Sequence, residues 1–349
     1  MDTEEFVQVR ETLRTFARRH RTESADAVDP RTRSRAQKAL DDLGLAELRR
    51  ASPPAATVQE CALLAEEHGR QPLTTSLLGT SLLAPELLRL ADAEAGPARP
   101  TVVLARDLRF PRRDASALVA WDCEGADSAL YAAPDGSVRR TGLGSWTRTA
   151  DLLRGVREVP HDAAGETVGS LSPDATRRWE AYALVIVSAE LVGAVDAFVD
   201  LSTDYARDRH QYGQPIGSFQ AVQHLLADAR VLVEACASAT RYAAWCGDNE
   251  ASDRALAAAR VAKAEVSTSA VDAVYAGMQV FGGIAQTWEH VAHLYLRRAL
   301  VGSRLLADTA ELFPALAGGR SATAPSEARG RSDHHVPPAT PEPEPERIR

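Results

Sequence analysis

Two stretches concentrate side chains suited to holding a phosphorylated ligand. Tyr205 to Asp228 reads YARDRHQYGQPIGSFQAVQHLLAD, and Gln279 to Arg298 reads QVFGGIAQTWEHVAHLYLRR. Arg209 offers a planar guanidinium fork, the geometry best matched to bidentate capture of a diphosphate. Gln211 and Gln220 add neutral donors and acceptors that can orient a nucleotide. Gly282 and Gly283 remove side chains where a backbone must approach a ligand closely, or where a helix junction needs an unusual dihedral. A lone arginine is usually a solvated charge and a lone Gly-Gly usually a turn. Their order and spacing together are what point to a nucleotide. Phe219, Phe281 and Trp288 read as core aromatics, and Glu289 and His290 as part of a structural turn.

Other chemistries find little support. Cys61, Cys123, Cys236 and Cys246 have no Cys-x-x-Cys spacing, so they read as buried thiols, neither a zinc site nor a disulfide framework. His290 and His293 lie on one stretch and His334 and His335 are adjacent, but no carboxylate or cysteine set completes a metal shell. The net charge of -8, with acids and bases interspersed, gives no basic stripe for nucleic-acid phosphates. The N-terminus MDTEEFVQVRETLRTFARRH lacks the apolar core of a signal peptide, and no segment reads as membrane-spanning, so a cytoplasmic location is expected. Heavy Ala and Arg usage suggests a GC-rich bacterial gene.

The elements that must position these residues follow from the texture of the chain. With 349 residues, 45% of them hydrophobic, it can bury more than one subdomain. Up to residue 97, apolar residues recur at helical spacing, as in Phe6, Val9, Leu13 and Phe16, with a loop at Pro53 and Pro54. Residues 98–170 change to short apolar runs, TVVLA, SALVAW and SALYAA, broken by signals such as Pro134-Asp135-Gly136, and predict a small β domain. Ser172-Pro173-Asp174 reads as a helix start, and residues 171–317 predict a bundle of long helices interrupted mainly at Gly213 to Gly217 and Gly282-Gly283. Residues 318–349, rich in proline and poor in apolar side chains, read as a disordered tail.

This order, and above all the two motif stretches, resemble the acyl-CoA dehydrogenase family. The matching pattern is Arg-x-x-aromatic-Gly, then Phe-Gln-Ala-x-x-x-x-Leu-Ala-Asp, then Gln-x-Phe-Gly-Gly and Thr-x-Glu-His. The resemblance implies a mainly α fold with a small β domain and a C-terminal four-helix bundle. It also implies FAD as cofactor, an acyl-CoA or other acyl-thioester substrate, and electron-transfer flavoprotein as acceptor. Carried over residue by residue, it assigns Arg209, Gln211, Tyr212, Gln220, Gln279, Gly282 and Gly283 to the diphosphate and adenosine part of the flavin nucleotide. In the family these residues serve the neighbouring subunit's FAD, so they form a half-site.

The pattern departs from the family where the chemistry is done. Removing the α-proton of an acyl thioester needs a carboxylate base. Its usual place, in the loop after the last motif helix, falls at Leu306, and the place used by a minority of the family falls at Ala183. Glu180, Glu190 and Asp308 are the nearest carboxylates, and Glu180, one helical turn before Ala183, is the candidate base on nearly the same face. The family's ring-holding segments, Thr-Glu-Pro-x-Ala-Gly-Ser-Asp and Trp-Ile-Thr-x-Gly, do not occur in the β region; Trp121 and Trp146 sit in WDCEG and WTRTA instead. The expectation is therefore a subunit of a hetero-oligomer that completes a partner's FAD site. The alternatives are a self-sufficient dehydrogenase with a displaced carboxylate, a flavin monooxygenase or oxidase on the same fold, and a non-catalytic interaction subunit.

Overall fold

The computed structural model describes residues 3–25, 29–94, 96, 98–112, 117–160 and 165–321. The N-terminal third holds α1 (Thr3–His20), α2 (Pro30–Asp41), α3 (Val58–Gly69) and α4 (Ala84–Leu90). Their starts are written in the sequence. Asp29 caps α2 by accepting from the amides of Arg31 and Thr32, with Pro30 at the first helical position. Thr57 and Glu60 close a reciprocal capping box on α3. A six-residue π-helical stretch, Leu78–Leu83, runs directly into α4.

A six-stranded mixed sheet follows, made of β1 (Pro100–Ala105), β2 (Leu118–Trp121), β3 (Ser128–Ala132), β4 (Ser137–Thr141), β5 (Val156–Glu158) and β6 (Glu166–Ser170), in the order β5-β2-β1-β3-β4-β6. Only β1 and β3 run parallel, with Thr101 opposite Ala129. Val102, Leu104, Val119 and Trp121 turn toward the helices and join the largest core, while Val103, Ala120 and Ala129 form a small cluster on the outer face. This alternation is what a sheet covered mainly on one side requires.

The C-terminal half is built on α5 (Pro173–Asp208), α6 (Gln220–Asn249), α7 (Ser252–Phe281), α8 (Ala292–Gly302) and α9 (Thr309–Ser321), with a two-strand hairpin of β7 (His210–Gln211) and β8 (Gln214–Pro215) between α5 and α6. Ser172 caps α5 as expected, accepting from the amide of Ala175 at 3.1 Å. By length and composition α5 could cross a membrane, but 89% of its most apolar stretch is buried among its neighbours, so it is the central core helix here. Helical backbone continues to Ser321, past Gly318, where the sequence texture changes; the rest of the expected tail, with His334 and His335, lies outside the described residues.

α3 and α5 cross at two glycines. A Cβ on Gly69 would overlap the carbonyl of Glu190, and one on Gly193 would overlap the carbonyl of Glu66. This reciprocal close approach brings His68 beside Glu190 and starts a buried charged cluster. His68 Nδ1 donates to Glu190 Oε1 at 2.9 Å, and its Nε2 accepts from the Thr75 hydroxyl at 3.0 Å, a neutral tautomer fixed by its two partners. Arg154 pairs with Glu190 and, at 2.7 Å, with Asp122, while Arg298 donates to Asp151 at 3.1 Å. All six residues are buried. They come from the N-terminal helices, the β region and the bundle, so the cluster ties three layers together.

Candidate functional site

The two motif stretches meet at one end of the bundle. α5 and α7 finish side by side there, held by Tyr205 against Phe281, whose ring centroids are 4.7 Å apart, and by Phe198 against Phe281 at 5.7 Å. Arg209 ends α5 with extended backbone; its amide donates to Tyr205 O and its carbonyl accepts from Ile216 N, both at 2.8 Å, which folds the short hairpin back over the helix end. Tyr212 sits at the hairpin tip with φ of 52° and is 93% exposed, its ring edge-on to Phe219. Gln220 opens α6 and Gln279 lies in the last turn of α7.

Gly282 adopts φ 65° and ψ −142°, a backbone region open essentially to glycine alone. A Cβ on Gly282 or Gly283 would meet nothing within 4 Å. Open space in front of two glycines is what a ligand approaching the backbone needs. Arg209, Gln211, Gln220 and Gln279 are all exposed, and among the described residues none of these four side chains has a protein partner. The donors and the cradle therefore fit the diphosphate and adenosine part of a flavin nucleotide approaching from outside the chain.

Of the three aromatics expected in the core, Phe281 is buried and Phe219 half-buried, but Trp288 is 46% exposed. It follows a short 3-10 turn, and its indole stacks on His293, centroids 5.2 Å apart, with the Arg297 guanidinium 6.0 Å from the ring centroid. All four cysteines are buried and unpaired, and burial pushes the thiols of Cys61, Cys123 and Cys236 up to about 12, so they are inert at neutral pH. Among the described residues no His, Cys, Asp and Glu group could hold a metal ion.

Both positions expected for the base are closed as well as apolar. Ala183 is fully buried in α5. Leu306 is buried at φ 68°, its amide donating to Leu108 O at 2.8 Å and its carbonyl accepting from Phe110 N at 3.1 Å. The loop that carries it is thus zipped onto the turn after β1. The neighbouring carboxylates are engaged. Asp308 pairs with Arg109, which also holds Glu311 at 3.0 Å. Glu180 faces Arg260 at 3.5 Å, and burial raises its pKa. Glu190 belongs to the buried cluster: burial pushes its pKa up, but Arg154, Arg298 and His68 outweigh it and hold the carboxyl well below the ordinary range.

Two clefts were not legible in the sequence. One of about 900 Å³ lies between the sheet and α8, lined by Leu108, Leu118, Tyr131, Arg139, Glu158 and Val301 among others. Glu158, at the edge of the sheet, is the one carboxylate among its described lining residues. The second, about 600 Å³, opens between α2 and Trp146 to Thr149. Buried there, Glu124 keeps one oxygen without a hydrogen-bond partner, 3.9 Å from Arg33 Nε. The segment from Gly144 to Thr147 hydrogen-bonds along β5 and separates the two clefts.

Comparison with known proteins agrees with this architecture. Residues 184–306 match the model for the acyl-CoA dehydrogenase C-terminal domain. Acyl-CoA dehydrogenase IpdE2 of Mycobacterium tuberculosis is 32% identical over 270 residues, covering 73% of this chain and 75% of the relative. Acyl-CoA dehydrogenase FadE34 of the same organism is 42% identical over 126 residues, which is 35% of this chain and 17% of the relative. Among solved structures, a chain of the ChsE4-ChsE5 complex from Mycobacterium tuberculosis superposes with a TM-score of 0.73 at 19% identity, covering 93% of this chain and 99% of that one. A chain of the Tcur3481-Tcur3483 steroid ACAD G363A variant gives 0.71 at 22% identity, covering 92% and 99%. With the motif order, the bundle and a relative of this identity over most of both chains, the protein belongs to the acyl-CoA dehydrogenase family of FAD-dependent oxidoreductases.

Proposed function

We propose that this chain is a subunit of a hetero-oligomeric acyl-CoA dehydrogenase, giving the nucleotide-binding half of an FAD site whose ring pocket and base come from a partner chain. The observation that carries this reading is the contrast between the two ends of the site. The Arg209 end presents free donors to open solvent, whereas Leu306 and Ala183 fill both base positions with buried apolar side chains. The solved structure described as the ChsE4-ChsE5 complex pairs two different proteins, and the Tcur3481-Tcur3483 structure is described as a steroid ACAD. The paired names support a two-chain assembly, and the steroid description supports a bulky acyl thioester as substrate.

The chemistry that FAD supplies when bound is acceptance of a β-hydride from the acyl thioester, and this requires a base for the α-proton. Arg209 would neutralise and grip the diphosphate, Gln211, Gln220 and Gln279 would orient the nucleotide, and Gly282-Gly283 would let the backbone come close. Electron-transfer flavoprotein would be the acceptor.

The test is co-expression with a second acyl-CoA dehydrogenase chain. A stable yellow complex is expected, reduced by acyl-CoA, with Glu180→Gln and Glu158→Gln leaving that reduction intact. A fully flavinated, active homomer of this chain alone would overturn the proposal. Glu158 favours the self-sufficient alternative because it is the carboxylate on the larger cleft wall. If Glu158→Gln abolishes flavin reduction while FAD stays bound, that alternative holds. Oxygen consumption without electron-transfer flavoprotein points instead to oxidase or monooxygenase chemistry.

A further inference from the structure

Lys263, on α7, is completely buried in the bundle. A lysine out of contact with water is costly unless its ammonium is fully hydrogen-bonded. Here Nζ donates to Gly302 O at 2.8 Å, to Ser303 O at 3.2 Å and to Ser267 Oγ at 2.9 Å. Two of these acceptors belong to the end of α8, where carbonyls have lost their intrahelical donors and the helix dipole presents its negative pole. Burial draws Lys263 down to about 7, and Asp308 pulls the other way. With either proton count both carbonyl bonds survive, since a neutral amine can still donate twice and accept from the Ser267 hydroxyl.

The chain leaving those carbonyls has a defined course. Leu305 and Leu306 enter the largest core. Leu306 pairs through its backbone with Leu108 and Phe110, and Asp308 pairs with Arg109. Leu108 and Val301, on either side of this junction, both face the 900 Å³ cleft. We propose that Lys263 is a positioning residue: by holding the Gly302 and Ser303 carbonyls it sets the loop at 303–308 against the turn after β1 and so fixes the helical wall of the cleft. The inference stands on this chain's own contacts and does not depend on where the base comes from.

The test is site-resolved hydrogen exchange of the Leu306 and Phe110 amides in the full chain, comparing Lys263→Met with Val266→Ala. Val266 lies on the same helix, wholly buried, and does not touch this junction by any hydrogen bond of its side chain. Denaturant is adjusted so that both variants have equal global stability. Lys263→Met is expected to raise exchange at both amides about tenfold over Val266→Ala, the effect of losing roughly one well-formed hydrogen bond. Lys263→Arg, which keeps a buried donor, is expected to restore much of the protection. Equal exchange in Lys263→Met and Val266→Ala, or wild-type protection in Lys263→Met, overturns the proposal. Should Lys263→Met fail to fold, Lys263→Leu, shorter and equally donor-free, is read on the same two amides with the same outcomes.

Discussion

Glu190 is held from three directions: by the charges of Arg154 and Arg298 and by a hydrogen bond from His68 Nδ1. Breaking such a buried set by removing one member costs about 3–5 kcal/mol, because the partners are left uncompensated. Glu190→Gln is expected to lose stability on that scale in urea unfolding. The pH dependence has a definite sign. Burial lowers the His68 pKa, with Glu190 opposing, so below its ordinary 6.5 the unfolded chain binds the proton better and stability falls. Glu190, held below its ordinary 4.5, adds stability above that value which is lost as acid titrates it. Unfolding midpoints taken at about pH 7 and about pH 5 should therefore drop on acidification, and drop less in His68→Gln. None of this was legible in the sequence. His68, Asp122, Asp151, Arg154, Glu190 and Arg298 are far apart in the chain, and each alone reads as a surface charge. The candidate residues Arg209, Gln279 and the glycine pair could be proposed from the sequence because chain reversals place them within two short stretches.

The helices could be read from their apolar faces and caps, but one cap comes from outside its own segment. The Asp248 carboxylate at the end of α6 accepts from the amides of Val58 and Gln59 at 2.7 and 3.0 Å, so α6 caps α3. Asp248→Ala is expected to cost about 0.5–2 kcal/mol, visible as a lowered thermal midpoint, with the proposed half-site unaffected. β1, β2 and β3 were legible as apolar runs because they lie in the middle of the sheet or against the core. β4 and β6, SVRRT and ETVGS, and the three-residue β5 were not, because edge and near-edge strands carry polar side chains outward. The loop at 303–308 illustrates the same limit. Its Leu306 was identified as apolar, but its left-handed backbone and its pairing with Leu108 depend on a partner nearly two hundred residues away, as the Arg109 to Asp308 ion pair also does.

For the whole molecule, the disposition of the site has a measurable consequence. The proposed half-site lies on the exposed end of the bundle, away from the core, so Arg209→Ala should leave the fold and thermal midpoint of this chain unchanged. In the complex with a partner dehydrogenase, the same substitution is expected to weaken FAD retention roughly 10- to 100-fold, the loss of a charge-assisted pair to phosphate. Flavin fluorescence on dilution of the complex reads this directly. Equal retention in both proteins would remove Arg209 from the site.

The buried cluster also limits how such a chain can be recombined. Asp122, Asp151 and Arg154 arrive with the β region, His68 with the helices before it, and Glu190 and Arg298 with the bundle. A graft that exchanged the β region for a relative's would look permissible by length and strand order. It would nonetheless take Arg154 from Glu190 and Asp151 from Arg298, two interior charges, unless the three matching residues travelled with it. The layers of this protein are separable on paper, but their charges are held in common.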